Sequence, residues 1–331
     1  MMRRYFVHFI QSHGLRFAKQ EFRAIVRLLA RRHLNWNLSV EEVEKVVFSG
    51  TNPQNSWTQE GNREGPVCIV NLPNEPALLR QLAGRCVLVR GLYELWAWGH
   101  SYEALFQQLT RDHSVAEETL RSRPSFSVRV LAVGKSARCK ARHPEYTAAR
   151  VEELTASLPS LEACPVDLSS PDHEFHFLEV FRSPDDDGLS EVYFGKLLGV
   201  GQRHLAHRFN LADRVYVGNT SLDPELSLIQ ANLAAVEEGS LCLDPFAGTG
   251  GILVAAAHFG GLCLGAELNY NCVYGIGKSS KVGQGWLSGQ TVKSNFEQYG
   301  MEAKFVGMAL ADSSRHGVWR GAFDVILTDR K

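Results

Sequence analysis

Hydrophobic and polar positions follow two rhythms along this chain. Near the start, RYFVHFI is an apolar run that predicts an opening strand, and KQEFRAIVRLLARR follows with Phe22, Ile25, Val26 and Leu29 at helical spacing. CVLVRGLYELWAWG leads into the helix-like SYEALFQQL. SFSVRVLAVG comes next, where Phe126, Val128 and Val130 alternate as on a half-buried strand. HEFHFLEVF and EVYFGKLLG are two more strand-like runs, separated by the SPDDDG turn at 183–188. The stretch from about 49 to 66, rich in Gly, Asn, Pro and Gln, reads as a surface loop of a small α+β domain.

From about residue 205 the rhythm changes. LCLDPFAGTGGILVAAAHFGGLCLGAEL gives a short apolar strand, a Gly-rich turn, an Ala-rich helix and a second apolar strand ending at Glu267, which is a βαβ unit. KFVGMAL followed by Ala311 and Asp312 predicts a third strand, and AFDVILTD a fourth. Strands alternating with helical segments predict a parallel, doubly wound sheet.

Charge sharpens the contrast between the two parts. The chain of 331 residues has a net charge of -1, but residues 1–150 hold 22 Lys+Arg against 13 Asp+Glu, leaving 13 against 23 for the remainder. A basic front half of net +9 is the surface expected of a phosphate-binding partner, because neutralised phosphates release counterions. A solvated surface of mixed charge is the alternative reading of the same counts. No run approaches the ~20 apolar residues of a membrane span, and MMRRYFVHFIQSHG is broken by His8, Gln11 and His13, unlike a signal-peptide core. The seven scattered cysteines include no CxxC pair and read as reduced thiols of a cytoplasmic protein.

The turn from Asp244 to Gly251, DPFAGTGG, carries the candidate chemistry. Gly248 and Gly250 let the backbone turn sharply and approach a ligand, and the helix that follows offers free N–H groups. Asp244 ends the first strand; Glu267, about twenty residues on, is placed to accept both ribose hydroxyls; Asp312 is placed to accept from an adenine amino group. Together they fit adenosine without a pyrophosphate, the pattern of the S-adenosylmethionine pocket of Rossmann-like methyltransferases. An NAD-type site and a purely structural Gly turn are the alternatives. Gly134-Lys135-Ser136 is no P-loop, because Arg129 stands where the earlier glycine is required.

EVYFGKLLGVGQRHLAHRFNLADRVYVGNTSLDPELSLIQAN, followed by LCLDPFAGTGG, resembles the eukaryotic THUMP-domain tRNA methyltransferases that modify guanine at position ten on its exocyclic N2. LYELWAWG is similar to the family's N-terminal region. The resemblance implies an α/β fold: an N-terminal ferredoxin-like region over residues 1–95, a THUMP-like RNA-binding region over 96–200, and an incomplete Rossmann-like methyltransferase domain over 205–331. It also implies tRNA as substrate, S-adenosyl-L-methionine as donor and a small zinc-binding activator protein as partner. Asn219, Thr220 and Ser221 would border the methionine end of the donor or cap a helix. The family's fourth strand runs on into Asp-Pro-Pro-Tyr or Asn-Pro-Pro-Tyr, so the resemblance implies that Asp329 stands where the catalytic Asp belongs; a plain strand-end carboxylate is the alternative reading. Arg330 and Lys331 stand where the prolines belong, so a truncated, catalytically impaired form is expected, with strand four an exposed apolar edge. A non-catalytic RNA-binding module is the competing class.

Overall fold

The computed structural model describes residues 2–10, 15–32, 47–48, 65–133, 144–181, 188–219, 221–277, 286, 289–313, 315 and 321–329. Most of the 49–66 loop, the SPDDDG turn up to Asp187, Gly134-Lys135-Ser136, Thr220, Arg330 and Lys331 lie outside the described residues. The elements run β1 (Met2–Phe9), α1 (Leu15–Arg32), β2 (Val67–Pro73), α2 (Pro76–Arg85), β3 (Val89–Gly99), α3 (Tyr102–Arg111), α4 (Ser114–Leu120), β4 (Phe126–Val133), α5 (Pro144–Ser157), β5 (His173–Phe181) and β6 (Leu189–Gly199). They continue with α6 (His204–Arg208), α7 (Pro224–Leu233), β7 (Leu241–Asp244), α8 (Gly251–His258), β8 (Leu262–Glu267), α9 (Tyr270–Tyr274), α10 (Val292–Gln298), β9 (Phe305–Leu310) and β10 (Val325–Ile326). Every strand and helix foreseen from the apolar rhythm is present.

The chain divides into two compact units, one of residues 1–9, 41–83 and 90–200, the other of residues 10–40, 84–89 and 201–331. The first unit holds a six-stranded sheet in the order β2-β1-β3-β6-β5-β4. β4 and β5 pair in parallel, from Phe126↔His173 to Val133↔Val180. Because side chains alternate along a strand, Phe175 and Phe177 face one side and Leu178 and Val180 the other. The first side packs with Trp96 and Phe194 against Leu105 and Leu109 of α3 and Leu154 of α5. On the second side Phe6 stacks on Tyr93 at 4.5 Å, next to Tyr193. Two buried carboxylates of this unit are paired. Glu94 meets Arg3 at 2.8 Å and Lys196 at 3.2 Å, and Glu179 accepts from both Tyr102 and Tyr146.

The second unit is built on a four-stranded sheet in the order β10-β7-β8-β9. All three pairings are parallel. Numbered within this unit, that is 4-1-2-3, the order expected of the first four strands of a methyltransferase sheet. AFDVILTD forms less ladder than its apolar length predicts. Only Val325 and Ile326 pair with β7, bracketed by Asp324 N–H to Leu241 O at 3.0 Å and Leu327 N–H to Leu243 O at 2.9 Å, since β7 itself is four residues long. Ile326 on this edge strand is 64% exposed.

Helix α1 belongs to this unit although its sequence lies near the chain start. Its Glu21, fully buried, accepts from the N–H groups of Val87 and Leu88, each at 2.9 Å, and from Asn232 of α7 at 2.7 Å. Arg85 donates to Asn232 and lies over the Phe259 ring at 3.9 Å. Burial pushes the Glu21 carboxyl above its usual range. One carboxylate thus joins three stretches of chain that are far apart in sequence.

Candidate functional site

Strand β7 ends at Asp244, and the chain turns through Phe246, Ala247 and Gly248 into α8. Gly248 has φ +51° and Gly250 has φ +78°, the left-handed region that favours glycine. A Cβ on Gly250 would lie 2.4 Å from Cγ1 of Val292, so α10 closes against the turn only because that side chain is missing. At Gly248 a Cβ would meet nothing within 4 Å, and the residue lines a cavity of about 330 Å³. That cavity, in the size range of small-molecule sites (~300–1,000 Å³), is also lined by Ser221, Asp244, Gly251, Glu267 and Asp329. It opens at the carboxyl ends of parallel strands, where ligands of open α/β sheets bind.

Three carboxylates meet there. Asp244 is 1% exposed and accepts from the Phe246 N–H at 3.0 Å. Burial, with the nearby charges of Glu267 and Asp329, pushes its carboxyl up to about 7. Glu267 is half-buried, with one oxygen accepting from the Gly248 N–H at 2.9 Å and the other from the Asn269 N–H at 2.8 Å. Each oxygen keeps a lone pair for a further donor. Asp329 is half-buried, two residues past the last bond between β10 and β7.

The other expected residues are placed as follows. Asp312 follows β9 and pairs with Arg315 at 3.6 Å; its neighbour Ser313 donates to the Pro245 carbonyl, which holds this segment against the Gly turn. Ser221 lines the cavity and shares a 2.9 Å hydroxyl contact with Thr249. Asn219 lines a second cavity of about 270 Å³ that shares Gly248 and Thr249 with the first and includes Trp286. The helix cap belongs to none of these residues. Asp223, immediately before α7, accepts from Leu226 N–H and caps it. Thr220 lies outside the described residues.

Two contributors have no signature in the sequence. Asn295 of α10, fully buried, accepts from Tyr216 N–H and donates to the carbonyls of Tyr216 and Thr249, tying the 209–219 segment to the Gly turn. Arg214 is 1% exposed beneath Gly251. Asn295 and Arg214 sit in stretches whose apolar pattern gives no hint of what they reach, so only the folded chain reveals them.

This strand–turn–helix with its acidic strand ends has the form of a Rossmann-like methyltransferase domain, and the two parts of the chain match two family models. Residues 57–203 match the Tmrp11 THUMP N-terminal domain, and residues 212–313 match the RMKL-like methyltransferase domain. The chain is similar to proteins named tRNA (guanine(10)-N(2))-methyltransferase TRMT11: 33% identical to that of Rattus norvegicus over 313 residues and 32% to that of Homo sapiens. In both cases the match covers 91% of this chain and 64% of the relative, so the chain spans just under two thirds of their length. The tRNA (guanine(10)-N(2))-methyltransferase of Saccharomyces cerevisiae is 26% identical over 99% of this chain and 67% of its own. The resemblance carried by VGNTSLDPELS and DPFAGTGG is borne out by these matches.

Proposed function

We propose that this protein transfers a methyl group from S-adenosyl-L-methionine to the exocyclic N2 of guanosine 10 in tRNA. The carrying observation is the convergence of Gly248, Asp244, Glu267 and Asp329 on one cavity, in a chain that joins a THUMP domain to a methyltransferase domain. The residues present suit this donor. Three carboxylates favour a cationic ligand and disfavour a pyrophosphate, which argues against an NAD-type site. In this reading Glu267 takes the ribose hydroxyls, Asp312 the adenine amino group, Gly248 and Gly250 admit the methionine end, and Asp244 faces its positive charge.

The donor supplies an electrophilic methyl on a sulfonium. The protein's task is to present an amine whose lone pair is delocalised into the guanine ring. Asp329 is the group we assign to accept an amine hydrogen, which favours a more pyramidal nitrogen, a positioning and electrostatic effect. The target base has to leave its stack to reach the cavity. The basic N-terminal half, with functional boundaries near residues 95 and 205, supplies the phosphate contacts. A small zinc-binding activator protein and a cytoplasmic site of action complete the proposal. No helix among the described residues is long and apolar enough to cross a membrane.

The test is the nucleoside content of tRNA from cells lacking this protein. N2-methylguanosine should disappear at position 10 and at no other position, and return with the wild-type gene. Unchanged methylation at position 10 would reject the assignment.

A further inference from the structure

Arg214 is the largest fully buried polar side chain in the described structure, 1% exposed. Its Nη2 donates to the Phe209 carbonyl at 2.9 Å, while Nε and Nη1 have no hydrogen-bond partner among the described residues. A buried guanidinium with two unused nitrogens is costly, because each unpaired donor forfeits its solvation. Nη1 lies 3.3 Å from where a Cβ on Gly251 would stand. Gly251 is the first residue of α8, which has no side-chain cap, so the N–H groups of its first turn are open as well. Arg214 therefore stands directly behind Gly251, which with Ile252 of the same helical turn lines the cavity, as do Asp244, Glu267 and Asp329.

This charge pattern matches a ligand end that carries both signs. A helix N-terminus attracts anions, and an arginine is the side chain best suited to a carboxylate. We infer that Arg214, with the first turn of α8, forms the subsite for the carboxylate of the donor's amino-acid end. Its ammonium and sulfonium then face the acidic residues. Resting on the donor reading above, this assigns the carboxylate contact to a residue buried beneath the turn. It also gives a reason for glycine at position 251: a side chain there would press on the guanidinium.

The experiment compares two probes on the full chain by calorimetry: S-adenosylhomocysteine and its decarboxylated analogue, S-adenosyl-3-thiopropylamine. Wild type should bind the carboxylate form at least ~10-fold more tightly, as a charge-assisted pair implies. Arg214→Gln should remove most of that preference while leaving the affinity for the amine unchanged, and Arg214→Lys should keep part of it. Melting curves establish that each variant is folded. If Arg214→Gln does not fold, the wild-type ratio together with Arg214→Lys decides: equal wild-type affinities, or a ratio that Lys leaves untouched, overturn the inference. Equal weakening of both probes by Arg214→Gln overturns it too, since the arginine would then be purely structural. Binding of neither probe by wild type would instead overturn the donor reading itself, and the subsite with it.

Discussion

The backbone N–H of Gly248 donates to the carboxylate of Glu267 at 2.9 Å, linking the turn after β7 to the end of β8. The other oxygen of Glu267 takes the Asn269 N–H, the residue that caps α9. Glu267 therefore holds the shape of the Gly turn and presents a carboxylate to the cavity at the same time. Replacing it should act on both. Glu267→Ala should weaken S-adenosylhomocysteine binding by about 1–3 kcal/mol, the usual loss when paired donors lose their acceptor. Calorimetry reads this directly, and unchanged affinity would remove Glu267 from the site.

The raised carboxyl of Asp244 makes both stability and binding depend on pH. Its usual value is 3.8 and its folded value about 7, so between these the folded protein holds a proton that the unfolded chain has lost. Its contribution is complete below the lower value and is lost as pH rises through the upper one, with a size on the order of 4 kcal/mol. Asp244→Asn, which stays neutral, should melt like wild type at pH 4 and higher than wild type at pH 8. Donor binding should show the opposite trend. A cation beside Asp244 favours its ionised form, so wild-type affinity for S-adenosylhomocysteine should rise from pH 5 to pH 8, with proton release seen in buffers of different ionisation enthalpy. A flat profile would place the ligand's charge elsewhere.

Much of this site was legible in the sequence, for reasons that are local. Gly248, Gly250 and Glu267 lie within one βαβ unit, where strand periodicity and the Gly-rich turn fix their spacing, and the alternating pattern specified the parallel sheet. The docking of α1 was not legible. Its apolar face, with Phe22, Ile25 and Val26, announces a helix but not its partner, and the choice is made by Glu21 reaching Asn232, 211 positions away. Arg214 and Asn295 escaped for the same reason: each is an isolated polar residue whose partners come from distant segments. The fourth strand was overestimated because eight apolar-patterned residues meet a neighbour of only four.

The Glu21 tie predicts how the chain tolerates being cut. Glu21→Ala leaves the Val87 and Leu88 N–H groups and Asn232 short of a buried acceptor, at a cost of about 1–3 kcal/mol for each unsatisfied group. Denaturant melts should show this loss, with Glu21→Gln recovering part of it. A fragment of residues 1–200 should be markedly less soluble than the full chain, because α1 loses α7. Full-chain stability in Glu21→Ala would contradict the role given to this carboxylate.

On the proposed reading, the basic half should make tRNA binding sensitive to salt. Affinity of the full chain for unmodified tRNA should fall steadily as salt rises, with little dependence on RNA sequence. Charge reversal at the exposed Arg121 and Arg123 should flatten that dependence if these residues face phosphate. Fluorescence anisotropy over a salt series reads both, and a salt-independent affinity would leave the +9 balance of residues 1–150 as ordinary surface charge.

The central claim, that the cavity beside Gly248 holds the methyl donor, is tested most directly by a crystal structure of this chain with S-adenosylhomocysteine. The account predicts the ribose hydroxyls within hydrogen-bond distance of Glu267, the adenine beside Asp312, and the amino-acid end over the turn from Gly248 to Gly251. Ligand bound at another surface, or ordered in this cavity with its ribose turned away from Glu267, would contradict it.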